Sequence, residues 1–197
     1  MPNICTTRYL ITGNEADRKS FVAMLDHLKS LPEPLVKNGW GRLWMGCLIT
    51  YLSGSWEAVY CRGNIEDYSA DFGVISLHVE SAWGELQETR AFLKAKFPGL
   101  TFYYQAEECG NLYFVTNSFE QFPEKYILDY CQDSKGKFYW EYFTTLEAAA
   151  DFVSNNCLEG VPVEATKTGI NTALDQYQEA HPDDVSFVFE EFMLIND

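Results

Sequence analysis

Hydrophobic residues recur along this chain at two spacings, and the switch between the spacings separates strands from helices. Residues 4–12 are rich in β-branched and aromatic side chains and end at a Gly-Asn turn signal, which predicts a first strand. Five apolar residues then recur at helical spacing, Asn14 can cap them, and prolines stand at 32 and 34. A helix is therefore predicted from about Glu15 to Ser30.

The following segments alternate in the same way. A loop that holds Trp40 between two glycines leads to a short helical pattern over 43–52, and two extended segments follow at 59–68 and 74–83. Helical spacing returns over 84–97, where Pro98-Gly99 ends it, and residues 100–107 have the pattern of a strand. This order predicts an α+β fold, a ferredoxin-like split β-α-β sandwich with one inserted helix.

The second half of the chain adds three extended segments, at 112–116, 125–131 and 138–143, which we expect to extend the sheet as antiparallel strands. Thr144 or Thr145 can cap a helix that ends near 155–156, and C-terminal helices are predicted over 170–180 and 185–195. The last of these segments also fits a strand. The predicted organisation is a ferredoxin-like unit at 1–117, packed as one body with a sheet extension and acidic helical portion at 118–197.

Composition indicates a folded protein. Hydrophobic residues make up 47% of the 197 residues and aromatics 16%, which excludes a disordered acidic tail. The first eight residues lack the pattern of an export signal, and no apolar run is long enough to cross a bilayer. We therefore expect a cytoplasmic protein of bacterial type, with six reduced and mostly buried cysteines, although a secreted chain could pair them.

Most of the formal net charge of −15 lies in the second half of the chain. Residues 1–100 carry ten Lys or Arg against eleven Asp or Glu, whereas residues 101–197 carry four against eighteen. Such a surface repels phosphate backbones and acidic lipids, which argues against direct binding of nucleic acid or membrane. The charge suits a basic protein partner or imitation of DNA, and solubility alone is the simpler explanation.

Residues 1–13 (MPNICTTRYLITG), the pair Ala82-Trp83 and residues 103–110 (YYQAEECG) together resemble the YubB-type ferredoxin-like family of bacterial plasmids, phages and integrated elements. The resemblance covers about residues 1–117, and residues 56–63 and 122–126 are similar to a variant found in gut anaerobes. It implies a ferredoxin-like fold and a mobile-element setting, and it transfers no catalytic residue. The chain departs from the family at Ile4, where Trp is common, and at Gly84-Glu85, where Ser-Pro is common.

Short signatures of metal, cofactor or nucleophilic chemistry are absent from the sequence. None of His27, His78 and His181 has a second His or a Cys three or four residues away, and no C-x-x-C pair occurs. The chain also lacks a phosphate-binding glycine loop and a G-x-S-x-G elbow. We therefore expect no metal and no cofactor.

Glu107 and Glu108 are the strongest carboxylate candidates, because repulsion between neighbours can raise the pKa of a carboxyl group. Adjacent strand residues point to opposite faces of a sheet, however, so only one of the two can face a given cleft. An acid/base pair would therefore need a second group from elsewhere, such as Glu80, which can share a sheet face with His78.

Aromatic side chains are the other candidates. Ferredoxin-like sheets can stack RNA bases on aromatics, but the Lys, Arg and Gly-aromatic motifs of that class are missing. The cluster therefore fits either a core or a protein-binding surface. The candidate ligand or partner surface comprises Trp83, Tyr103, Tyr104, Glu107, Glu108, Trp40 and Trp44.

The leading hypothesis from the sequence is a non-enzymatic accessory protein of a bacterial mobile element that binds another protein. The first alternative is a DNA mimic that blocks a basic nucleic-acid-binding surface. The second is a small hydrolase or transferase with a carboxylate site near Glu107 and Glu108.

Overall fold

The structure is a computed structural model that describes residues 3–132, 134, 136–182 and 184–196. The chain divides into two compact units, Met1–Tyr113 and Phe114–Asp197, called unit 1 and unit 2 below. Both units combine helices with strands, which confirms the predicted α+β class.

Unit 1 contains, in chain order, β1 (Ile4–Gly13), α1 (Glu15–Ser30), α2 (Met45–Tyr51), β2 (Gly63–Asp71), β3 (Val74–Ala82), α3 (Gln87–Lys96) and β4 (Leu100–Glu108). The strands lie in the order β2-β3-β1-β4, and each neighbouring pair is antiparallel. A 3-10 turn, Cys109–Asn111, follows β4.

The first helix, α1, has the predicted bounds, because local chemistry fixes both of its ends. The Asn14 side chain accepts a hydrogen bond from the Asp17 backbone N–H at 2.8 Å, which caps the first turn. Leu31 and Pro32 end the helix. Its buried face includes Phe21, whose ring lies 6.1 Å from that of Phe102 on β4.

The unit 1 sheet has one face that packs in the core and one polar face. On β1 the side chains of Cys5, Thr7, Tyr9 and Ile11 are buried, and the alternate residues between them are partly exposed. On the polar face Arg8 lies between His78 and Gln105, and Thr6 lies between Glu80 and Glu107.

The predicted strand at 59–68 is displaced, since β2 begins at Gly63. Tyr60 is instead held by α3. Its backbone N–H donates to the Glu88 carboxylate at 2.8 Å, and its carbonyl accepts from the Thr89 hydroxyl at 2.7 Å. Tyr60 therefore bonds to α3 and not to a neighbouring strand. The strand β2 lies at the edge of the sheet and has a bulge between Ile65 and Asp67.

Unit 2 consists of β5 (Tyr113–Thr116, which starts at the unit boundary), β6 (Tyr126–Gln132), β7 (Lys137–Phe143), α4 (Leu146–Phe152), α5 (Lys167–Ala180), β8 (Val185–Glu191) and β9 (Met193–Leu194). Thr145 caps α4, which continues into a π-helical turn, Val153–Cys157. The strands β7-β6-β8 form a three-stranded antiparallel sheet, and β5 pairs with β9 in parallel.

Two predictions for unit 2 are wrong. The segments near 125–131 and 138–143 do not extend the first sheet, because they pair with each other and with β8 in a sheet of their own. Residues 185–195 are not a helix, because Val185, Phe187 and Phe189 alternate along β8 toward the core. Apolar Val188 on the other face concealed this alternation in the sequence.

Aromatic stacking across three strands organises the core of unit 2. The ring of Tyr130 lies between those of Tyr139 and Phe187, at centroid distances of 5.4 and 5.0 Å and with ring planes within 9° of parallel. The helices α4 and α5 cover this face of the sheet through Ala149, Ala150, Val153, Ile170 and Leu174.

Candidate functional site

A pocket of about 390 Å³ lies in unit 1 where β1 begins and β3 ends. Its volume falls in the range of pockets that bind small ligands or inserted side chains. The residues that line it are Ile4, Trp40, Trp44, Arg62, Gly63, Asn64, Glu66, Glu80, Ser81 and Ala82.

Trp44 forms a rigid wall of the pocket. It precedes the first turn of α2, its backbone bridges to Asn64, and it is 5% exposed. Its ring packs against Gly46 so closely that a Cβ atom there would lie 2.0 Å from Cζ3. The Trp56 ring meets it edge-on at a centroid distance of 5.5 Å. Trp44 therefore has little freedom to move.

Trp40 forms an exposed wall, with 62% of its surface accessible. Gly39 and Gly41 on either side have φ angles of 87° and 94°, a region that other residues rarely adopt. The backbone N–H of Trp40 donates to the Asn38 side chain at 3.1 Å. The loop thus holds a large aromatic surface beside solvent, and its conformation depends on both glycines.

The polar part of the pocket comes from the paired strands β2 and β3. Asn64 lies opposite Glu80 in the strand register, and its Nδ2 donates to Glu66 Oε1 at 2.8 Å. The Asn64 Oδ1 atom is enclosed by protein and receives no hydrogen bond within the described residues. An enclosed acceptor without a donor is unusual in folded proteins, and here it belongs to a residue that lines the pocket.

The pocket carries more negative than positive charge. Glu66 and Glu80 supply two carboxylates, and Arg62 supplies one cation. Within the described part of the chain none of these three side chains forms an ion pair. The carboxylates are therefore available to a cationic ligand.

The two candidate carboxylates at the end of β4 have different environments. Glu108 is 3% exposed, and its carboxylate accepts hydrogen bonds from the backbone N–H groups of Gly110 and Asn111, which caps the 3-10 turn. Glu107 lies on the polar face and is partly exposed. The two residues point to opposite faces, as the strand geometry predicts.

The predicted group of Glu107, Glu80 and His78 is only partly assembled. Glu80 and Glu107 flank Thr6 on the polar face, and His78 lies on the same face two residues from Glu80 along β3. The pocket is lined by Glu80 and by neither of the other two. The structure therefore does not gather these side chains in one cleft.

The aromatic candidates divide among three environments. Trp40 and Trp44 line the pocket, whereas Tyr104 is 2% exposed and lies beneath the Arg90 guanidinium at 4.6 Å from the ring centroid. Tyr103 is partly exposed on the face opposite Tyr104. Trp83 is half exposed in a left-handed turn with φ of 73°, and it does not line the pocket.

A buried charged network lies in the interior of unit 1. Glu85 Oε1 accepts hydrogen bonds from Arg90 Nε at 2.9 Å and from the Tyr9 hydroxyl at 2.6 Å. Burial, together with the Glu85 charge, raises the pKa of Tyr9 well above its ordinary value. The network is paired and enclosed, which fits a structural role.

Two buried thiols of unit 1, those of Cys5 and Cys61, are poor nucleophiles. Burial raises the pKa of both Cys5 and Cys61 to about 11, so both stay protonated near neutral pH. No group of three metal-ligating side chains occurs among the described residues. In the same part of the chain, no helix combines the length and apolar character needed to cross a membrane.

Unit 2 presents two further surfaces. Phe138 and Trp140 on the edge strand β7 are each 65% exposed. The helices expose carboxylates at one-turn spacing, Glu147 and Asp151 on α4 and Asp175 and Glu179 on α5. These two helices therefore bear four of the eighteen acidic residues that the sequence places in the second half.

Comparisons with known proteins give no family. No family model and no curated protein matches the sequence. Among solved structures, the crystal structure of an unknown protein from Galdieria sulphuraria aligns with 96% of this chain and 98% of that chain, at 12% identity and a TM-score of 0.27. That similarity is too low to indicate a fold or a function for this chain.

Sequence reasoning missed the polar residues of the pocket, chiefly Arg62, Asn64 and Glu66. The displaced start of β2 placed them in the middle of a strand, where they looked like ordinary exposed positions. The sequence did contain one signal. A glycine, Gly63, interrupts the predicted strand after Arg62, and the polar residues Asn64 and Glu66 follow it at alternate positions. The partner of that pair, Glu80, is sixteen residues away and is brought close only by the strand register.

Proposed function

We propose that this protein is a non-enzymatic binding protein and that the unit 1 pocket anchors a protein partner. The observation that carries the proposal is the pair of tryptophan walls, one fixed at Trp44 and one exposed at Trp40. Tryptophan is the side chain most enriched among residues that dominate binding energy in protein interfaces. Pockets at such places accept an anchor side chain from the partner.

The hydrogen bonding, protonation and positions of the candidate reactive side chains support binding and not catalysis. The Glu108 carboxylate is engaged in the turn after β4, and the thiols of Cys5 and Cys61 are protonated at neutral pH. Glu107 and His78 lie outside the pocket. A hydrolase or transferase site at Glu107 or Glu108 therefore receives no support from this geometry.

The proposal includes the family and setting implied by the sequence resemblance. Within unit 1 the antiparallel strand order β2-β3-β1-β4, with helices between β1 and β2 and between β3 and β4, supports the ferredoxin-like arrangement expected from the sequence. It supports membership of the YubB-type family. On this basis the protein acts in the bacterial cytoplasm as an accessory of a mobile element.

A DNA mimic is the second candidate function, and the exposed carboxylates of α4 and α5 favour it. Glu147 and Asp151 are spaced by one helical turn, as are Asp175 and Glu179. Rows of carboxylates can occupy a surface that normally binds phosphates. Binding of that kind would weaken steeply with salt, because it depends on charge.

The test is capture of partners from an extract of the source organism by the full chain and by two matched variants. Trp40→Ala removes the exposed pocket wall, and Trp140→Ala removes a tryptophan of similar exposure, 65% against 62%, from unit 2. We expect one protein to be held by the wild type and by Trp140→Ala and to bind Trp40→Ala at least about tenfold more weakly when purified.

Equal capture by all three proteins would contradict the role of the pocket. Loss of capture when Glu147, Asp151, Asp175 and Glu179 are replaced by amides, together with loss in high salt, would favour the DNA mimic. Both outcomes are read from the same purified partner by calorimetry at two salt concentrations.

A further inference from the structure

We propose that the group held in the unit 1 pocket is the guanidinium of an arginine side chain, an inference that rests on the proposed function and names the chemistry of its anchor. The pocket combines aromatic walls, two carboxylates and an unpartnered amide oxygen. Each of these features interacts favourably with a planar cation that carries several N–H donors.

The carboxylates select for positive charge. Glu66 and Glu80 are on neighbouring strands, and neither is neutralised by an ion pair within the described residues. An apolar ligand would desolvate both carboxylates without compensation, and an anion would be repelled by them. Arg62 is exposed and offsets only one of the two charges.

The Asn64 amide adds a requirement for donors. Its Nδ2 group already donates to Glu66, so the remaining Oδ1 atom can act only as an acceptor. That oxygen is enclosed without a partner, a situation that costs about 1–3 kcal/mol in proteins. A ligand N–H group can supply that donor only if the Asn64 side chain turns its enclosed oxygen toward the pocket.

The tryptophan walls favour guanidinium over ammonium. A guanidinium plane stacks on the face of an aromatic ring and keeps its edge donors free for carboxylates, whereas an ammonium has three donors at one point. The carboxylate acceptors here belong to two residues, Glu66 and Glu80, on neighbouring strands. Several donors fixed in one plane can serve such a set together.

The experiment uses the full chain and short synthetic peptides, Gly-Gly-Xaa-Gly-Gly with both ends blocked, in which Xaa is arginine, citrulline, lysine or phenylalanine. Binding is followed by NMR through the indole N–H signals of Trp40 and Trp44. We expect the arginine peptide to shift both signals saturably. Citrulline has nearly the same shape without the charge, and we expect it to bind at least about tenfold more weakly.

Variants separate the pocket from general electrostatics. Glu80→Gln removes one pocket carboxylate, and Glu179→Gln removes one exposed carboxylate from α5 with the same change in net charge. We expect Glu80→Gln to weaken the arginine peptide about tenfold and Glu179→Gln to change its affinity less than about twofold. Circular dichroism and the other indole signals check that both variants fold.

The inference would be overturned by no shift with the arginine peptide, by equal binding of citrulline, by equal or tighter binding of lysine, or by equal effects of the two variants. Tighter binding of the phenylalanine peptide at the same indole signals would also overturn it, yet would leave the pocket as a protein anchor. The capture experiment with Trp40→Ala tests that anchor separately, so failure of the arginine inference and failure of the proposed function are distinguishable.

Discussion

Replacing Arg90 by methionine is expected to destabilise unit 1 by about 3–5 kcal/mol, because it leaves the Glu85 carboxylate buried without its cation. The side chains of Arg90 and Glu85 are 7% and 3% exposed, so solvent screens their interaction very little. Methionine retains much of the buried stem, so the loss reflects charge more than volume. The Tyr9 hydroxyl still donates to Glu85, which keeps the expected loss from being larger.

The assay is equilibrium unfolding in urea, followed by tryptophan fluorescence in a Trp140→Phe background. The other four tryptophans, at 40, 44, 56 and 83, all belong to unit 1, so the signal then reports that unit. A loss of 3–5 kcal/mol lowers the unfolding midpoint by about 2 M urea for a typical slope. Arg42→Met is the matched control, because Arg42 is exposed, and we expect its effect to stay below about 0.5 kcal/mol.

A double variant decides whether the unpaired charge is the cause. Arg90→Met combined with Glu85→Gln leaves no buried charge and keeps an acceptor for Tyr9, so it should recover most of the stability lost in the single variant. The reasoning is refuted if Arg90→Met costs less than about 1 kcal/mol, or if the double variant is no more stable than Arg90→Met alone.

Two further predictions concern a close contact and a pH dependence. Gly46→Ala would gain about 1 kcal/mol of helix propensity but place a Cβ atom 2.0 Å from the Trp44 ring, so we expect a net loss of up to about 2 kcal/mol and a shifted Trp44 indole signal. An unmoved indole signal would show that the contact is not tight. Hydrogen bonds from Ser134 and Gln132 lower the pKa of Asp184 from 3.8 to about 2, so its contribution to stability is present above about pH 4 and is lost as the pH falls toward 2. By urea unfolding, Asp184→Ala should therefore be less stable than the wild type at pH 6, and the difference should shrink as the pH falls from 4 to 2. A difference as large at pH 2 as at pH 6 would contradict this assignment.

Local sequence signals were sufficient wherever both ends of an element are set by neighbouring residues. The bounds of α1 follow from the Asn14 cap and from Pro32, and both lie within two residues of the helix. The strand β1 likewise begins at the predicted residue and ends at Gly13. For such elements no distant contact has to be known.

Elements whose position depends on distant partners could not be placed. Apolar Val59 and Tyr60 resemble the start of a strand, yet α3 takes the hydrogen bonds of Tyr60, and the true edge strand β2 is polar. The sequence left β8 open between helix and strand, with helix favoured, because apolar residues occupy both of its faces. The segment forms a strand because it pairs with β6, which lies more than fifty residues earlier in the chain.

The candidate site was predicted in part for the same reason. Trp40 and Trp44 stood out by residue type, but Tyr104 and Glu108 are used by the fold, as a ring beneath Arg90 and as a cap. Asn64 could not be recognised, because its importance comes from an enclosed oxygen. That property depends on atoms from several elements and leaves no pattern in the chain.

The loop and the strands contribute different properties to the pocket, and this difference affects how the protein can diversify. Trp40 and Trp44 belong to the connection between α1 and β2, whereas Asn64, Glu66 and Glu80 belong to paired strands. The connection governs the size and shape of what fits, and the strands govern its charge. On the proposed function, substitutions or length changes near Trp40 would therefore retune partner choice over evolution while the strand pairing, and with it the fold, is kept.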